Sequence, residues 1–262
     1  MRKIAILRDD IKIFFKKVKC GYHIKNYRER EENKKSLKEN RLKYTKPTEN
    51  PLVSVLIPTY NRSDLLIERT IPSVLRQTYQ NFELIVVGDH CTDDTEKKLK
   101  FFNDKRIKFF NLPQRGNYPE DPHERWMVAG VTPANKAIEL SSGDWIAPLD
   151  DDDEFSDDHI ETLLKFATGN DYEMVYGKVH HEVKPNEWGE VGSYPLERGS
   201  ISRMSALYSS KLKFIKYDIN CWKYSEPADF NMWRKMIETN VKIGFIDEFV
   251  GNHYLERNQK NK

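Results

Sequence analysis

Long apolar runs are missing from this 262-residue sequence. None approaches the ~20 consecutive apolar residues that span a bilayer, and the N-terminus lacks an apolar core followed by a small-residue cleavage site. Cysteine is scarce: Cys20, Cys91 and Cys221 are odd in number and scattered, which argues against a disulfide framework and for a reducing, cytoplasmic setting. Proline is absent before Pro47, and no internal repeat is visible. No recognised nucleic-acid module accompanies the basic residues, so nucleic acid is not an expected partner.

What is present is enough for a core and a division of charge. Hydrophobic residues make up 38% of the chain, with 13 each of Phe and Tyr. The net charge of +2 hides two regions. Residues 1–50 carry 16 Lys and Arg against 7 Asp and Glu, and the remainder 27 against 34. The chain therefore divides into a basic extension with its linker (1–50) and one domain (51–262). Within the extension, Ile11, Phe14, Phe15 and Val18 fall at helical spacing among Lys12, Lys16, Lys17 and Lys19. Such a helix suits an anionic membrane surface on the inner face of a cell membrane; it equally suits packing on the main domain. The two prolines of 44–51 mark the linker.

From Leu52 strands and helices alternate. Apolar runs at 52–57, 82–87, 106–110 and 145–149 read as strands, and 64–77, 92–102, 133–140 and 159–166 as helices, with Pro72 bending the first. Residues 112–128, rich in Pro, Gly and charge, read as a long loop. This order predicts a mostly parallel sheet covered on both faces. Strands at 173–181, 188–194, 241–246 and 249–254 and a helix at 229–238 follow, so the second half is expected to be more antiparallel.

The run Trp145–Leu149 stops at four consecutive aspartates, Asp150 to Asp153. Ligands of open α/β sheets collect beyond the carboxyl ends of strands. Adjacent carboxylates repel by about 4 kcal/mol per pair at ~4 Å and the effective dielectric of a protein surface. A cation at this spot is the expected remedy; an acidic turn leading into a helix near Ser156 is the plainer alternative.

Three ordered stretches carry a resemblance: Val53-Ser54-Val55-Leu56-Ile57-Pro58-Thr59-Tyr60-Asn61-Arg62, then Phe82 to Asp89 running into Thr92-Asp93-Asp94-Thr95, then Ser142-Gly143-Asp144-Trp145-Ile146 leading to the aspartates. Together they resemble family 2 glycosyltransferases of the GT-A fold, strongly over about 52–155 and loosely to 255. The resemblance implies a Rossmann-like α/β sheet, mostly parallel and flanked by helices, with a smaller antiparallel acceptor-side part. It implies a nucleotide-sugar donor, UDP-linked, and a glycan or lipid-linked acceptor in surface polysaccharide synthesis. Pro58 and Tyr60 match the base-binding strand end, with Tyr60 stacking on the base. Asp89 matches the carboxylate that accepts the base's imide N–H, and Asp150 and Asp151 match positions near the ribose. Asp152 matches the ligand of a divalent metal, for which Mg²⁺ or Mn²⁺ held with diphosphate oxygens and waters is the expected coordination.

An acceptor hydroxyl that attacks an anomeric carbon must lose its proton. Asp229, in Pro227-Ala228-Asp229-Phe230-Asn231-Met232-Trp233, matches the family base, although Ala228 replaces the usual Glu. Glu226 is the substitute base, and helix capping is the structural alternative for Asp229. His253 matches a late metal ligand of some GT-A enzymes. Other departures are Gly88 in place of an Asp, His90-Cys91 in place of Gly-Ser, and Val131-Thr132-Pro133-Ala134-Asn135 in place of Ala-Arg-Asn. The insertion 114–127, with Tyr118, His123, Arg125 and Trp126, reaches the sugar or phosphates or is a packed surface loop. Two rivals stand beside the transferase. A nucleotidyltransferase needs a Gly-rich basic phosphate loop after the first strand, which Pro58-Thr59-Tyr60-Asn61 is not. A non-catalytic nucleotide-sugar-binding protein is kept open by the missing Glu.

Overall fold

The computed structural model describes residues 21–43 and 48–255. The helix expected around 11–18 lies outside them. A helix absent from the sequence reading occupies Tyr22–Lys43 (α1). It is polar on nearly every side, so tertiary contacts must hold it. Leu37 is buried beneath it, and its polar side chains reach far along the chain. Lys25 Nζ donates to Asp218 at 2.7 Å, Lys235 Nζ pairs with Glu29 at 2.6 Å, and Arg41 forms a two-pronged contact with Glu173.

The domain is built on nine strands among the described residues, ordered β3-β2-β1-β4-β8-β6-β9-β5, with β7 (Glu187–Val191) on β6. β1 (Val53–Thr59) lies parallel between β2 (Phe82–Gly88) and β4 (Trp145–Pro148), and β3 (Ile107–Asn111) extends the sheet beyond β2. β1 and β2 are buried throughout, as largely apolar runs require when both faces are covered, with Ser54, Thr59 and Glu83 the buried polar exceptions. Side chains of alternate strand residues feed two cores. Val53, Val55 and Ile57 face one side, and Leu56, Ile85 and Ile146 the other. The second half is mixed: β8 (Ala206–Ser209) runs antiparallel to β4 and β6, but β6 (Met174–Lys184) and β9 (Ile243–His253) are parallel. β9 is one strand where the sequence suggests two, and it pairs with the two-residue β5 (Glu154–Phe155) just past the aspartates.

Two local features shape the site. The helix of residues 63–75 (α2) winds wide over Leu66–Thr70, with Pro72 at the start of its last segment, Ile71–Leu75. Proline offers no N–H to the carbonyl four residues back, so the winding adjusts without breaking. The wide turn delivers Arg69 and Thr70 to the acidic loop: Arg69 Nη1 donates to the Asp152 carbonyl at 2.7 Å and Thr70 Oγ1 to that of Asp153 at 3.0 Å. Beyond α3 (Thr95–Lys100), the stretch read as loop at 112–128 contains a helix, Pro122–Val128 (α4), and α5 (Val131–Leu140) and α6 (His159–Gly169) follow it. Asp121 caps it by accepting the Glu124 N–H at 2.9 Å, and Met127 and Val128 anchor it in the core.

Candidate active site

Strand register gathers the predicted residues. Thr59 of β1 stands opposite Gly88 of β2, and Leu56 opposite Pro148 of β4. Tyr60, Asp89 and the aspartates therefore leave the same edge of three adjacent parallel strands, where the topology puts ligands. Both turns off the sheet use left-handed residues, Asn61 (φ 50°) and His90 (φ 61°). Asn61 Oδ1 then accepts the Thr92 N–H at 2.9 Å, tying the first turn to the second. His90 stands where the resemblance implies glycine; for an L-residue this conformation costs roughly 1–2 kcal/mol. Gly88 also has a local cause. A Cβ there would meet Asn111 Oδ1 at 2.5 Å, because Asn111 fills that space and bonds both backbone groups of Cys91.

The four aspartates are met in part by protein cations. Asp150 pairs closely with the half-buried Arg203, whose Nε donates to the Tyr217 hydroxyl at 3.1 Å. Arg62 Nη1 reaches Asp151 at 3.1 Å and Asp152 at 2.8 Å. Asp153 is fully buried, accepts the Tyr254 N–H at 2.9 Å and lies 2.9 Å from His253 Nδ1. Burial opposes the charge on His253, but the Asp153 carboxylate outweighs it and carries the imidazole up to about 9. As an imidazolium His253 offers a metal no lone pair until it gives up that proton.

Negative charge still exceeds positive. Burial, then the Asp151 and Asp153 carboxylates, push Asp152 up to about 8 despite Arg62. Hard carboxylate oxygens in a surplus of negative charge fit a divalent cation such as Mg²⁺ or Mn²⁺. Among the described residues no group of three or more His, Cys, Asp and Glu forms a ready-made cage.

Asp229 lies in the first turn of α7 (Ala228–Glu238), whose capping position is Pro227, so Asp229 is not the helix cap. Its Oδ1 accepts the Phe230 N–H at 2.7 Å. Burial first, and the Asp150 charge further, raise its pKa, with Arg203 acting in the opposite direction. Glu226 is differently placed. Its carboxylate accepts Asn231 Nδ2 at 2.6 Å and the Arg234 Nε and Nη2 at 2.9 and 3.1 Å, all within a buried pair. Glu226→Ala is therefore expected to lower stability by about 3 kcal/mol in chemical denaturation, the usual loss when a buried ion pair is halved. Sugar transfer per folded molecule should survive. A stable variant that has lost transfer would instead return Glu226 to the chemistry.

Tyr60 is partly exposed, with the Arg115 guanidinium 3.7 Å from its ring centre. Asp89 is 2% exposed. Its Oδ1 accepts the Gly116 N–H at 2.9 Å and its Oδ2 the Tyr118 hydroxyl at 2.8 Å. Sequence reasoning gave no role to Arg62, Arg203 or Arg115 and did not foresee the pairing of Asp153 with His253. Arg62 carried a signal, two places after Tyr60 in the first motif; Asp153 closes the run of aspartates and Arg115 lies in the 114–127 insertion, whereas nothing marked Arg203.

The family model described as Glycosyl transferase family 2 matches residues 54–119 and 133–225. The gap between these two stretches contains α4. Over 213 residues the chain is 32% identical to UDP-Glc:alpha-D-GlcNAc-diphosphoundecaprenol beta-1,3-glucosyltransferase WfgD of Escherichia coli, covering 74% of this chain and 75% of that one. Other curated relatives are longer, and the chain spans only about a fifth of several of them. Its fold is similar to that of S. aureus TarS 1–349 in complex with UDP (TM-score 0.61, 18% identity, 78% of this chain and 60% of that one). It is also similar to the mannosyltransferase PcManGT from Pyrobaculum calidifontis in complex with GDP-Man and Mn²⁺ (TM-score 0.59, 14% identity, 93% and 70%).

Proposed function

The chain belongs to glycosyl transferase family 2, and from that membership we propose that it transfers a sugar from a UDP-linked donor, with inversion, to a hydroxyl of a lipid-linked glycan. The observation that carries the reading is the meeting of Tyr60, Asp89 and Asp150–Asp152 at one sheet edge, with Asp229 within electrostatic reach of Asp150. The relatives supply the acceptor class: WfgD is named for a diphosphoundecaprenol substrate. The net excess of basic residues in 1–50 suits peripheral contact with an anionic membrane, where such an acceptor resides. Residues 51–262 form the catalytic domain in this reading.

Asp229 takes the proton of the acceptor hydroxyl as its oxygen attacks the anomeric carbon. The bond from that carbon to the diphosphate oxygen breaks on the opposite face, and its electron pair leaves with UDP, so the configuration inverts. A pKa above the ordinary carboxylate range makes Asp229 a stronger base. Tyr60 and Asp89 fix the base, Asp150 and Asp151 the ribose, and Arg203 holds Asp150 in place. Asp152 would hold a Mn²⁺ or Mg²⁺ ion, which when bound neutralises the charge that develops on the departing diphosphate.

Calorimetric titration of UDP and GDP, with and without Mn²⁺, tests the reading. UDP is expected to bind far more tightly than GDP and to depend on Mn²⁺. Absence of binding by either nucleotide to demonstrably folded protein would overturn it.

A further inference from the structure

We propose that Arg115 plugs the subsite for the donor's base, so that UDP binds by displacing it. The inference rests on the assignment of Tyr60 and Asp89 to the base. A uracil ring brings to those residues a flat face and an N–H edge. The Arg115 guanidinium, which is also planar and carries only donors, brings the same two features. Its centre lies 3.7 Å from the Tyr60 ring centre, at stacking distance, and its Nε lies 3.9 Å from Asp89 Oδ2. No base can share that face of Tyr60 while the guanidinium holds it.

The residues after Arg115 complete the closure. Gly116 N–H and the Tyr118 hydroxyl engage one Asp89 oxygen each, leaving the carboxylate 2% exposed. Burial, with the neighbouring Asp89 charge, keeps the Tyr118 phenol protonated and therefore a donor. The loop can lie this close because residue 116 is glycine; a Cβ there would come within 2.6 Å of the Tyr118 ring. The same contacts that seal Asp89 must open for a base to reach it. The loop's hold is weak enough to yield: Arg115 is 44% exposed, and exposed cation–π contacts contribute little.

The test is calorimetric titration of uridine and UDP, with Mn²⁺ present, into the wild-type protein, Arg115→Ala and Arg115→Lys. Removing an exposed cation–π contact is expected to tighten binding of both ligands to Arg115→Ala by roughly two- to five-fold. Lys keeps the charge but not the planar stack, and should fall between. Amide hydrogen exchange gives a second readout: on UDP binding to the wild type, exchange at 114–118 should speed up as the Asp89 contacts open. Unchanged or weaker binding by Arg115→Ala, or slower exchange in the loop, would overturn the plug and make Arg115 a clamp on the bound base. If no variant binds uridine or UDP although all are folded, the UDP reading itself falls, and the plug with it.

Discussion

Asp229→Asn is expected to lower kcat for sugar transfer by about 10²- to 10⁴-fold, the range that a positioned general base contributes, while leaving UDP affinity unchanged. The substitution keeps the shape of the side chain and its ability to accept the Phe230 N–H, but removes the proton acceptor. Because Pro227 occupies the capping position of α7, no helix cap is lost. Stability should not fall either. Burial holds the Asp229 pKa above its ordinary value, so the ionised carboxylate already costs the folded state free energy that Asn does not. The pH dependence follows with the same sign. The base works only when ionised, so wild-type kcat should decline as pH drops through this raised pKa. Undiminished transfer by the Asn variant would remove Asp229 as the base. Parallel measurement of Glu226→Ala separates the two carboxylates: one variant should be stable and inactive, the other unstable and active.

The sheet and its working edge were legible because both depend on short-range pattern. Val53–Ile57, Phe82–Val87 and Trp145–Leu149 are apolar on both faces but for Ser54 and Glu83, and parallel strands buried on both sides produce such runs. Once those strands are adjacent, Tyr60, Asp89 and Asp150 must emerge together. The helices α1 and α4 were not legible. α1 has one buried leucine in a stretch of charge, and its partners, Asp218, Lys235 and Glu173, lie more than 100 residues away. α4 is short, begins with Pro122 and sits among turn-forming residues, so its cap and its two core contacts decide its structure. The charge balance of the acidic loop was hidden for the same reason. Four adjacent carboxylates announce a need for cations, but Arg62, Arg203 and His253 approach from other segments. Protein side chains therefore meet part of a charge that the sequence alone assigned to a metal.

What they leave unmet points to an outcome contrary to that of a residue whose binding role and stabilising role coincide. Asp152→Asn is expected to make the metal-free protein more stable. The Asp152 pKa of about 8 in the folded protein lies above the ordinary carboxylate value, chiefly through burial and then through Asp151 and Asp153. The folded state thus binds this proton more tightly than the unfolded chain. Stability contributed by the protonated form is complete below about pH 4 and is lost as pH rises towards 8. At neutral pH and above, replacing the carboxylate by an amide should return roughly 1–3 kcal/mol, after allowing for the charged partner that Arg62 loses. Mn²⁺ should raise the wild-type melting temperature, because a ligand of the folded state alone stabilises it, and should leave Asp152→Asn nearly unmoved. Mn²⁺-dependent UDP binding should weaken about 100-fold or more, since changes even one shell removed from a metal cost 10–100-fold. Thermal melts of both proteins, with EDTA and with Mn²⁺, resolve the matter. A variant less stable than wild type in EDTA, or equal stabilisation of both by Mn²⁺, would show that the surplus charge at Asp152 is not what a metal ion relieves.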